Sequence, residues 1–288
     1  MNTLEAIEME NSIKNGITEI FNSLDILENT RNDYKKRIKF FLSFIQENPF
    51  QLNSFLDFKN HLRNRNDLKV STKAKYLTVA KIFLKELNKI GVIPSDVTMN
   101  IKSFNQGSKH KKFGVTEEEV SLIEESILSL SDSKYNLRLK SILGLLMYQG
   151  LRQVEVSRID VSDVDLDRAT VMINGKSSDD KEPVNLHPKA VILLKEYIEK
   201  LQLKSGTLFF SLSNNNTNGR ISKRAIHNMV VSFLNKLEIK NTSHGFRHFF
   251  TSKLIKFFEG DLLKVMKFRH VSDYAEKVLY TLCNPIRG

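Results

Sequence analysis

The sequence contains a single cysteine, Cys283, and lacks the motifs that bind structural zinc or nucleotide phosphates. One cysteine excludes an internal disulfide bond and a cysteine-rich zinc site, and a thiol without a partner fits a reducing compartment. No glycine-rich phosphate loop is present, and no cluster of acidic residues resembles the site of a two-metal nuclease. We therefore expect a protein that uses neither a metal ion nor ATP as a cofactor.

The sequence also has no long apolar segment, and its first residues do not show the pattern expected of an N-terminal leader. The longest apolar run, residues 142–148, is far shorter than the roughly 20 residues that a membrane-spanning helix needs. Glu5, Glu8 and Glu10 place negative charge near the first residue, which is not typical of a secretory signal peptide. These absences favour a soluble protein of the cytoplasm with no membrane partner.

The charge balance is strongly basic for a chain of ordinary globular composition. Its 288 residues include 44 Lys+Arg against 33 Asp+Glu, a formal net charge of +11, and 41% of the residues are hydrophobic. This length is sufficient for one large domain or two ordinary ones. The excess of positive charge favours a polyanionic partner, with nucleic acid before anionic membrane.

Helix signals and one polar segment divide the chain into two predicted domains. Thr30 and Asp33 resemble a capping box that opens a helix, and a longer helix is predicted from Ser71 to just before Gly91. Residues 105–114, reading NQGSKHKKFG, are polar, basic and glycine-bearing, which is typical of a linker. We predict a helical domain over residues 1–107, with residues 1–28 as an extra N-terminal segment, a linker over residues 108–114 and a second domain over residues 115–288.

Basic side chains are concentrated on two of the predicted N-terminal helices. The helix that begins at Ser71 carries lysines at i, i+4 and i+8, which repel one another unless an anion neutralises them. A solvated helix face and a row of phosphate contacts both fit this spacing. The candidate DNA-contacting residues on the two helices are Lys81, Lys85, Lys89, Lys35, Lys36 and Arg37.

The second domain is predicted to combine helices with a short β-hairpin. Thr116 begins a second predicted capping box at the start of its first helix. Residues 169–174 alternate as a strand, and residues 182–186 form a second strand after a Ser/Asp turn. Lys176 directly follows Gly175 at the mouth of this hairpin, where a flexible ammonium group can reach a neighbouring cleft.

The segment NTSHGFRHFFTSK, residues 241–253, places His244 and Arg247 three residues apart, with His248 directly after. On a helix such positions share a face, so the imidazole and the guanidinium can point at one target. The planar fork of guanidinium donors suits a phosphate better than a carbonyl or a metal ion. The alternative for His244 is a residue that caps the backbone amides at the start of a helix.

Five motifs with these residue types follow one another along the chain. They are Gly-Leu-Arg152-x-x-Glu155, Gly-Lys176 in the hairpin, His244-x-x-Arg247-His248, His270 and Tyr280. In this order they resemble the tyrosine recombinase family, which includes lambda integrase and the Xer-like recombinases. The resemblance covers essentially the whole chain. It implies a mainly α fold with a small β-sheet, in which a helical core-DNA-binding domain precedes a mixed α/β catalytic domain.

The resemblance also implies a reaction at a DNA phosphodiester. Arg152 and Arg247 would stabilise the negative charge that builds on the non-bridging oxygens in the transition state. Tyr280 would attack phosphorus and form a 3′-phosphotyrosyl link, with His244 as the group that transfers its proton. Lys176 would protonate the departing 5′-oxygen. The remaining predicted site residues are His270, which hydrogen-bonds a phosphate oxygen, and Glu155 and His248, which have supporting roles.

Two of these assignments have rivals, and two features depart from the family pattern. Lys181, in the same hairpin, competes with Lys176 for the role of general acid. Tyr274 competes with Tyr280 for the role of nucleophile, although its spacing is too short. Arg269 stands where the family commonly has glycine, and the spacing before Tyr280 is one residue longer than the commonest one.

The expected partner is double-stranded DNA, clamped between the two domains. By the same resemblance we expect a homotetramer acting on two DNA sites, with a monomer in the absence of DNA left open. Two alternatives remain: a type IB topoisomerase-like nicking-closing enzyme, and a non-catalytic DNA-binding protein derived from a recombinase. The departures at Arg269 and before Tyr280 motivate the second alternative.

Overall fold

A computed structural model describes residues 17–48, 50–105, 114–174, 180–213, 219–261 and 263–265. The chain divides into two compact units, one within residues 1–110 and the other within residues 111–288. Each unit has its own hydrophobic core. Helices predominate in both, and the described part contains one small sheet, so the predicted mainly α fold is confirmed.

The first unit is built from helices around a core rich in phenylalanine. The helices are α1 (Ile17–Ser23), α2 (Glu28–Glu47), α3 (Ser54–Asn64) and α4 (Val70–Lys89). Burial of aromatic side chains from all four helices is the main force that holds them together. The most deeply buried rings belong to Phe21, Phe41, Phe55, Phe58 and Phe83.

The predicted capping box at Thr30 is wrong. Helix α2 begins earlier, at Glu28, with Leu27 as its N-cap and no capping side chain. Arg31 accounts for the earlier start, because its guanidinium pairs with Glu28 at 2.5 Å and donates to the Phe21 carbonyl at 2.8 Å. The first turn is therefore held by an ion pair and a tertiary contact.

The end of α4 agrees closely with the sequence. The helix runs to Lys89, with Ile90 as its C-cap. Gly91 follows with a φ of +78°, the left-handed conformation that favours glycine after a helix. The Val92 amide donates back to the Leu87 carbonyl at 2.9 Å, which closes the helix end.

The second unit packs helices around one deeply buried helix and a three-stranded sheet. Its first helices are α5 (Glu117–Leu128), α6 (Lys134–Tyr148) and α7 (Gln153–Arg158). The later helices are α8 (Pro188–Lys200), α9 (Lys223–Lys236) and α10 (Ser243–Phe257). From Leu137 onward every residue of α6 is buried, and α6 contacts all three of the later helices.

The sheet is antiparallel, with the strand order β1-β2-β3. Its strands are β1 (Val164–Asp165), β2 (Thr170–Asn174) and β3 (Lys181–Asn185). Val171 lies opposite Val184, and the alternate residues Val171 and Ile173 of β2 are buried. Both predicted strands are thus correct to within one residue, because a period of two was visible in the sequence.

The predicted capping box at Thr116 is confirmed. The Glu119 amide donates to Thr116 Oγ1 at 3.2 Å, and the Thr116 amide donates to the Glu119 carboxylate at 2.9 Å. Two amides at the start of α5 are therefore satisfied reciprocally. Within the described ranges, no helix is both long enough and apolar enough to cross a membrane.

A buried histidine caps α8. His187 is 2% exposed, its Nδ1 accepts the Lys189 amide at 3.1 Å, and its ring stacks on Tyr148 at 4.9 Å. Its Nε2 has no hydrogen-bond partner within the described part of the chain. Burial, and next the charge of Lys189, lower the pKa of His187 to about 4. The imidazole is therefore neutral in the folded protein at neutral pH.

We expect this histidine to make the second unit sensitive to acid. Between the ordinary pKa of 6.5 and the folded pKa of about 4, the unfolded chain binds a proton that the folded chain does not bind. The free energy of unfolding should therefore fall as the pH decreases through this window, by up to about 3 kcal/mol. Urea unfolding from about pH 7 to about pH 4 measures the loss. His187→Asn, which keeps a capping oxygen, should flatten this dependence. The same pH slope in wild type and His187→Asn would contradict the assignment.

Candidate active site

The candidate site begins at the turn between α6 and α7. Gly150 adopts a φ of +59°, and a Cβ atom at this position would lie 2.5 Å from the Phe250 ring. A side chain is therefore excluded here by both backbone conformation and packing. Arg152 follows as the N-cap of α7, with an extended backbone conformation. Its side chain is 37% exposed.

Glu155 holds Arg152 in place from within the same helix. Its carboxylate is 3% exposed and accepts the Arg152 backbone amide at 2.7 Å. It also accepts a hydrogen bond from Arg152 Nη1 at 2.5 Å. A buried carboxylate is costly unless a cation and further donors satisfy it, so this pair fixes both groups. Glu155 therefore orients the Arg152 guanidinium.

Arg247 reaches the same carboxylate from α10. Its Nη1 lies 3.9 Å from Glu155 Oε2, the oxygen that accepts the Arg152 amide. The same Nη1 donates to the Gly150 carbonyl at 2.6 Å. The side chain is only 12% exposed. Arg152 and Arg247, which are far apart in sequence, are therefore assembled around one buried acid. Both guanidinium groups therefore lie beside the same carboxylate.

His244 and His248 lie on the first turns of α10. Their rings are 4.9 Å apart and nearly perpendicular, and both residues are exposed. The N-cap of α10 is Thr242, and His244 is the second residue of the helix. Gly114 packs against this turn, because a Cβ atom there would lie 3.2 Å from His248 Cβ.

The first residue of α7 makes a contact that no sequence pattern indicates. Gln153 Nε2 donates to Ser243 Oγ, at the start of α10, and lies 3.4 Å from His227 Nδ1 on α9. The partners Gln153 and Ser243 are 90 positions apart. Gln153 is one of the two unspecified positions between Arg152 and Glu155, and Ser243 directly precedes His244, so neither residue type is part of the motif pattern. Only the packing of the helices reveals this link.

The hairpin contributes the two ends that flank the Lys176 segment. Asn174, the last residue of β2, accepts from Arg158 of α7 at 3.3 Å. Lys181, the first residue of β3, places its ammonium 2.6 Å from Asp163, a mostly buried carboxylate. The Lys181 ammonium is therefore engaged by a carboxylate of its own unit, through a charge-assisted hydrogen bond. Lys176 itself lies outside the described residues.

Four other sequence assignments also lie outside the described residues. They concern the last part of the catalytic domain, after residue 265. They are His270, Tyr280, the rival Tyr274 and the departure at Arg269. Among the described residues, no group of three or more His, Cys, Asp or Glu side chains forms a cluster that could hold a metal ion.

Several of the basic residues predicted to contact DNA have acidic neighbours within the first unit. The ammonium of Lys85 lies 3.9 Å from Asp96, and that of Lys89 lies 3.5 Å from Glu86. The Arg37 guanidinium holds the pKa of Asp33 below its usual value. These contacts neutralise part of the charge within the unit. DNA contact by Lys81, Lys85, Lys89, Lys35, Lys36 and Arg37 therefore stays a prediction.

Comparison with known proteins finds relatives along most of the chain. The model of the phage integrase family matches residues 115–280. A tyrosine recombinase of Synechocystis sp. is 25% identical over 270 residues, which cover 88% of this chain and 85% of that protein. The tyrosine recombinase XerD of Staphylococcus epidermidis is 25% identical over 262 residues, with 88% and 87% of the two chains covered.

Two solved structures share the fold of this chain at low sequence identity. The XerH site-specific recombinase, bound to palindromic difH substrate, aligns with a TM-score of 0.68 and 21% identity over 90% of this chain and 77% of that one. A lambda integrase dimer bound to a COC′ core site aligns with a TM-score of 0.67 and 15% identity over 96% of each chain.

The negative charge of Glu155 should contribute to the free energy of unfolding. Glu155→Gln keeps the shape and the acceptor for the Arg152 amide but leaves two guanidinium groups without their counter-charge. We expect the free energy of unfolding to fall by about 1–3 kcal/mol. Glu119→Gln is the matched control, because Glu119 occupies the same position in the capping box of α5 and contacts no arginine among the described residues. Its effect should stay within about 0.5 kcal/mol. Equal losses in the two variants, measured by urea unfolding, would show that the charge of Glu155 is unimportant.

Proposed function

This chain belongs to the phage integrase family of tyrosine-type site-specific DNA recombinases, and from that membership we propose that it cleaves and rejoins DNA strands through a 3′-phosphotyrosyl intermediate. The observation that carries the proposal is the assembly of Arg152 and Arg247 on the buried carboxylate of Glu155. Two guanidinium groups held together in this way form a site for a phosphodiester.

The arginines act on the charge that develops during phosphoryl transfer. As the nucleophile approaches phosphorus, negative charge increases on the non-bridging oxygens, and donors already in place stabilise it without reorganising. Glu155 and the Gly150 carbonyl provide that preorganisation, because each fixes a guanidinium by a short hydrogen bond. A lysine at either position could not reproduce the planar, bidentate geometry.

The remaining steps are assigned by the family resemblance. The Tyr280 oxygen forms a bond to phosphorus while the bond between phosphorus and the 5′-oxygen breaks. A tyrosine hydroxyl has a pKa of about 10, so its proton needs an acceptor, and exposed His244 on α10 is the candidate. Lys176 gives a proton to the departing 5′-oxygen, and His270 donates to a phosphate oxygen. The second strand's 5′-hydroxyl then reverses the sequence of steps.

This chemistry requires neither ATP nor a metal ion in our proposal. The phosphotyrosyl link conserves the energy of the phosphodiester bond, so rejoining needs no nucleotide. The cations of the site supply the charge stabilisation that a metal ion supplies in other phosphoryl-transfer enzymes.

The proposed partner is duplex DNA, bound by a homotetramer that holds two sites. Multimeric DNA complexes of proteins with this fold support the proposal, including a lambda integrase tetramer bound to a Holliday junction. The net charge of +11 supports a polyanionic partner as well. We propose that the first unit contributes the core-DNA-binding contacts and the second unit the chemistry.

A covalent adduct tests the proposal directly. Duplexes that bind the protein would first be selected from random-sequence DNA. A series of these duplexes would then be made, each with a nick at a different position. Where cleavage occurs close to a nick, the short strand with the 5′-hydroxyl diffuses away, rejoining is blocked and the covalent intermediate accumulates. We expect an adduct that survives denaturing electrophoresis and is absent from Tyr280→Phe, which should still bind DNA. Tyr274→Phe is the matched control and should form the adduct normally.

Other outcomes of the same assay point to the alternatives. Binding without any adduct in the wild type would indicate a recombinase-derived DNA-binding protein. Relaxation of supercoiled plasmid without a sequence requirement would favour a type IB topoisomerase-like enzyme. An adduct that persists in Tyr280→Phe would contradict the assignment of the nucleophile.

The general acid can be tested by changing the leaving group. We expect Lys176→Ala to slow cleavage by about 10²- to 10⁴-fold, because an alkoxide is a poor leaving group without a proton. A substrate with sulfur in place of the bridging 5′-oxygen should restore the rate, since a thiol has a pKa of only about 8.5. Lys181→Ala is the control, and any defect it causes should not respond to sulfur. Rescue of Lys181→Ala instead would exchange the two roles.

A further inference from the structure

Gln153 connects the turn that carries Arg152 to the helix that carries His244. Its Nε2 donates to Ser243 Oγ, the first residue of α10, and lies 3.4 Å from His227 Nδ1 on α9. An amide nitrogen has two hydrogens and can serve both acceptors at once. One partly buried side chain therefore links α7, α9 and α10.

The start of α10 depends on this link because its own cap is weak. Thr242, the N-cap, makes no side-chain bond to the helix amides. Ser243 is 6% exposed, so its hydroxyl needs a partner inside the protein, and the Gln153 amide is that partner. The first turn of the helix is thus held from α7.

A second hydrogen bond connects α10 to the Arg152 turn, one helical turn further along the helix. Arg247 Nη1 donates to the Gly150 carbonyl at 2.6 Å. Residues 243 and 247 are separated by about 6 Å along the helix axis. Together with the packing of α10 against α6, these two bonds set the position and direction of the first turns of α10 relative to the Arg152 turn.

The two hydrogen bonds position different catalytic candidates. Arg247 is fixed directly by the Gly150 carbonyl and by Glu155. His244 directly follows Ser243 in the chain. A shift of the first turn of α10 after loss of the Gln153 bond therefore displaces His244, while Arg247 keeps its own hydrogen bond to Gly150. Loss of the Gln153 bond should therefore disturb proton transfer while the arginines stay assembled.

We propose that Gln153 is a positioning residue that sets His244 against the phosphate held by Arg152 and Arg247. This inference rests on the proposed function, because the role of His244 is assigned there. A displacement of about 1 Å at a reacting group can cost on the order of 100-fold in rate. Loss of one neutral hydrogen bond changes the stability of the fold much less.

Single-turnover adduct formation on a trapping duplex tests the proposal. Gln153→Met has nearly the same shape but cannot donate, and Ser243→Ala removes the acceptor. We expect each variant to slow adduct formation by about 10- to 100-fold, with DNA affinity unchanged. Ser252→Ala, an exposed serine on the same helix, is the matched control and should react at the wild-type rate.

The decisive measurement repeats both substitutions in a His244→Ala background. If Gln153 acts through His244, neither substitution should slow the double variant by more than about twofold, because the positioned group is gone. A merely structural role would instead lower the rate by the same factor in both backgrounds, and that result would overturn the proposal. A wild-type rate in Gln153→Met would overturn it as well.

The outcomes separate this inference from the function on which it rests. Absence of an adduct with the wild-type protein would overturn the proposed function and this inference with it. A normal wild-type adduct, together with normal rates in the Gln153 and Ser243 variants, would overturn this inference alone. If Gln153→Met does not fold, as judged by circular dichroism, Ser243→Ala and its combination with His244→Ala decide between the two roles.

Discussion

The geometry of the site depends on the buried carboxylate of Glu155. A negative charge that is 3% exposed is tolerated only with cations and donors around it. Arg152 supplies a backbone amide to one carboxylate oxygen and a guanidinium to the other, and Arg247 approaches the oxygen that accepts the amide. Two guanidinium groups would otherwise repel each other. The acid therefore makes it favourable to hold them together before a phosphate arrives.

Close backbone packing allows α10 to reach that acid. A Cβ atom at Gly150 would lie 2.5 Å from the Phe250 ring, and one at Gly114 would lie 2.8 Å from the Phe249 amide. The helix thus packs closely against both glycines, one of which lies in the Arg152 turn. Gly150 has a second effect, because its carbonyl accepts the hydrogen bond from Arg247. The turn at Gly150 therefore contributes both to the packing of α10 and to the hydrogen bonding of Arg247.

The sequence was most informative where the contacts are local. The capping box at Thr116 joins residues three apart, and the strand boundaries followed from a period of two. The predicted start of α2 was wrong, because the ion pair and tertiary contact of Arg31 outweighed the capping signal at Thr30. The sequence also contained no sign that Asp163 engages the ammonium of Lys181, which was therefore kept as a rival general acid.

By itself, the sequence determined that His244 and Arg247 share one helix and that the motifs follow the order of a recombinase family. The tertiary structure alone decided that Arg152 and Arg247 share Glu155, and that Gln153 connects two helices of the site. The reason is physical. Periodicity records contacts between residues within a turn or a strand, whereas the pairing of buried polar groups far apart in the chain depends on how the helices pack.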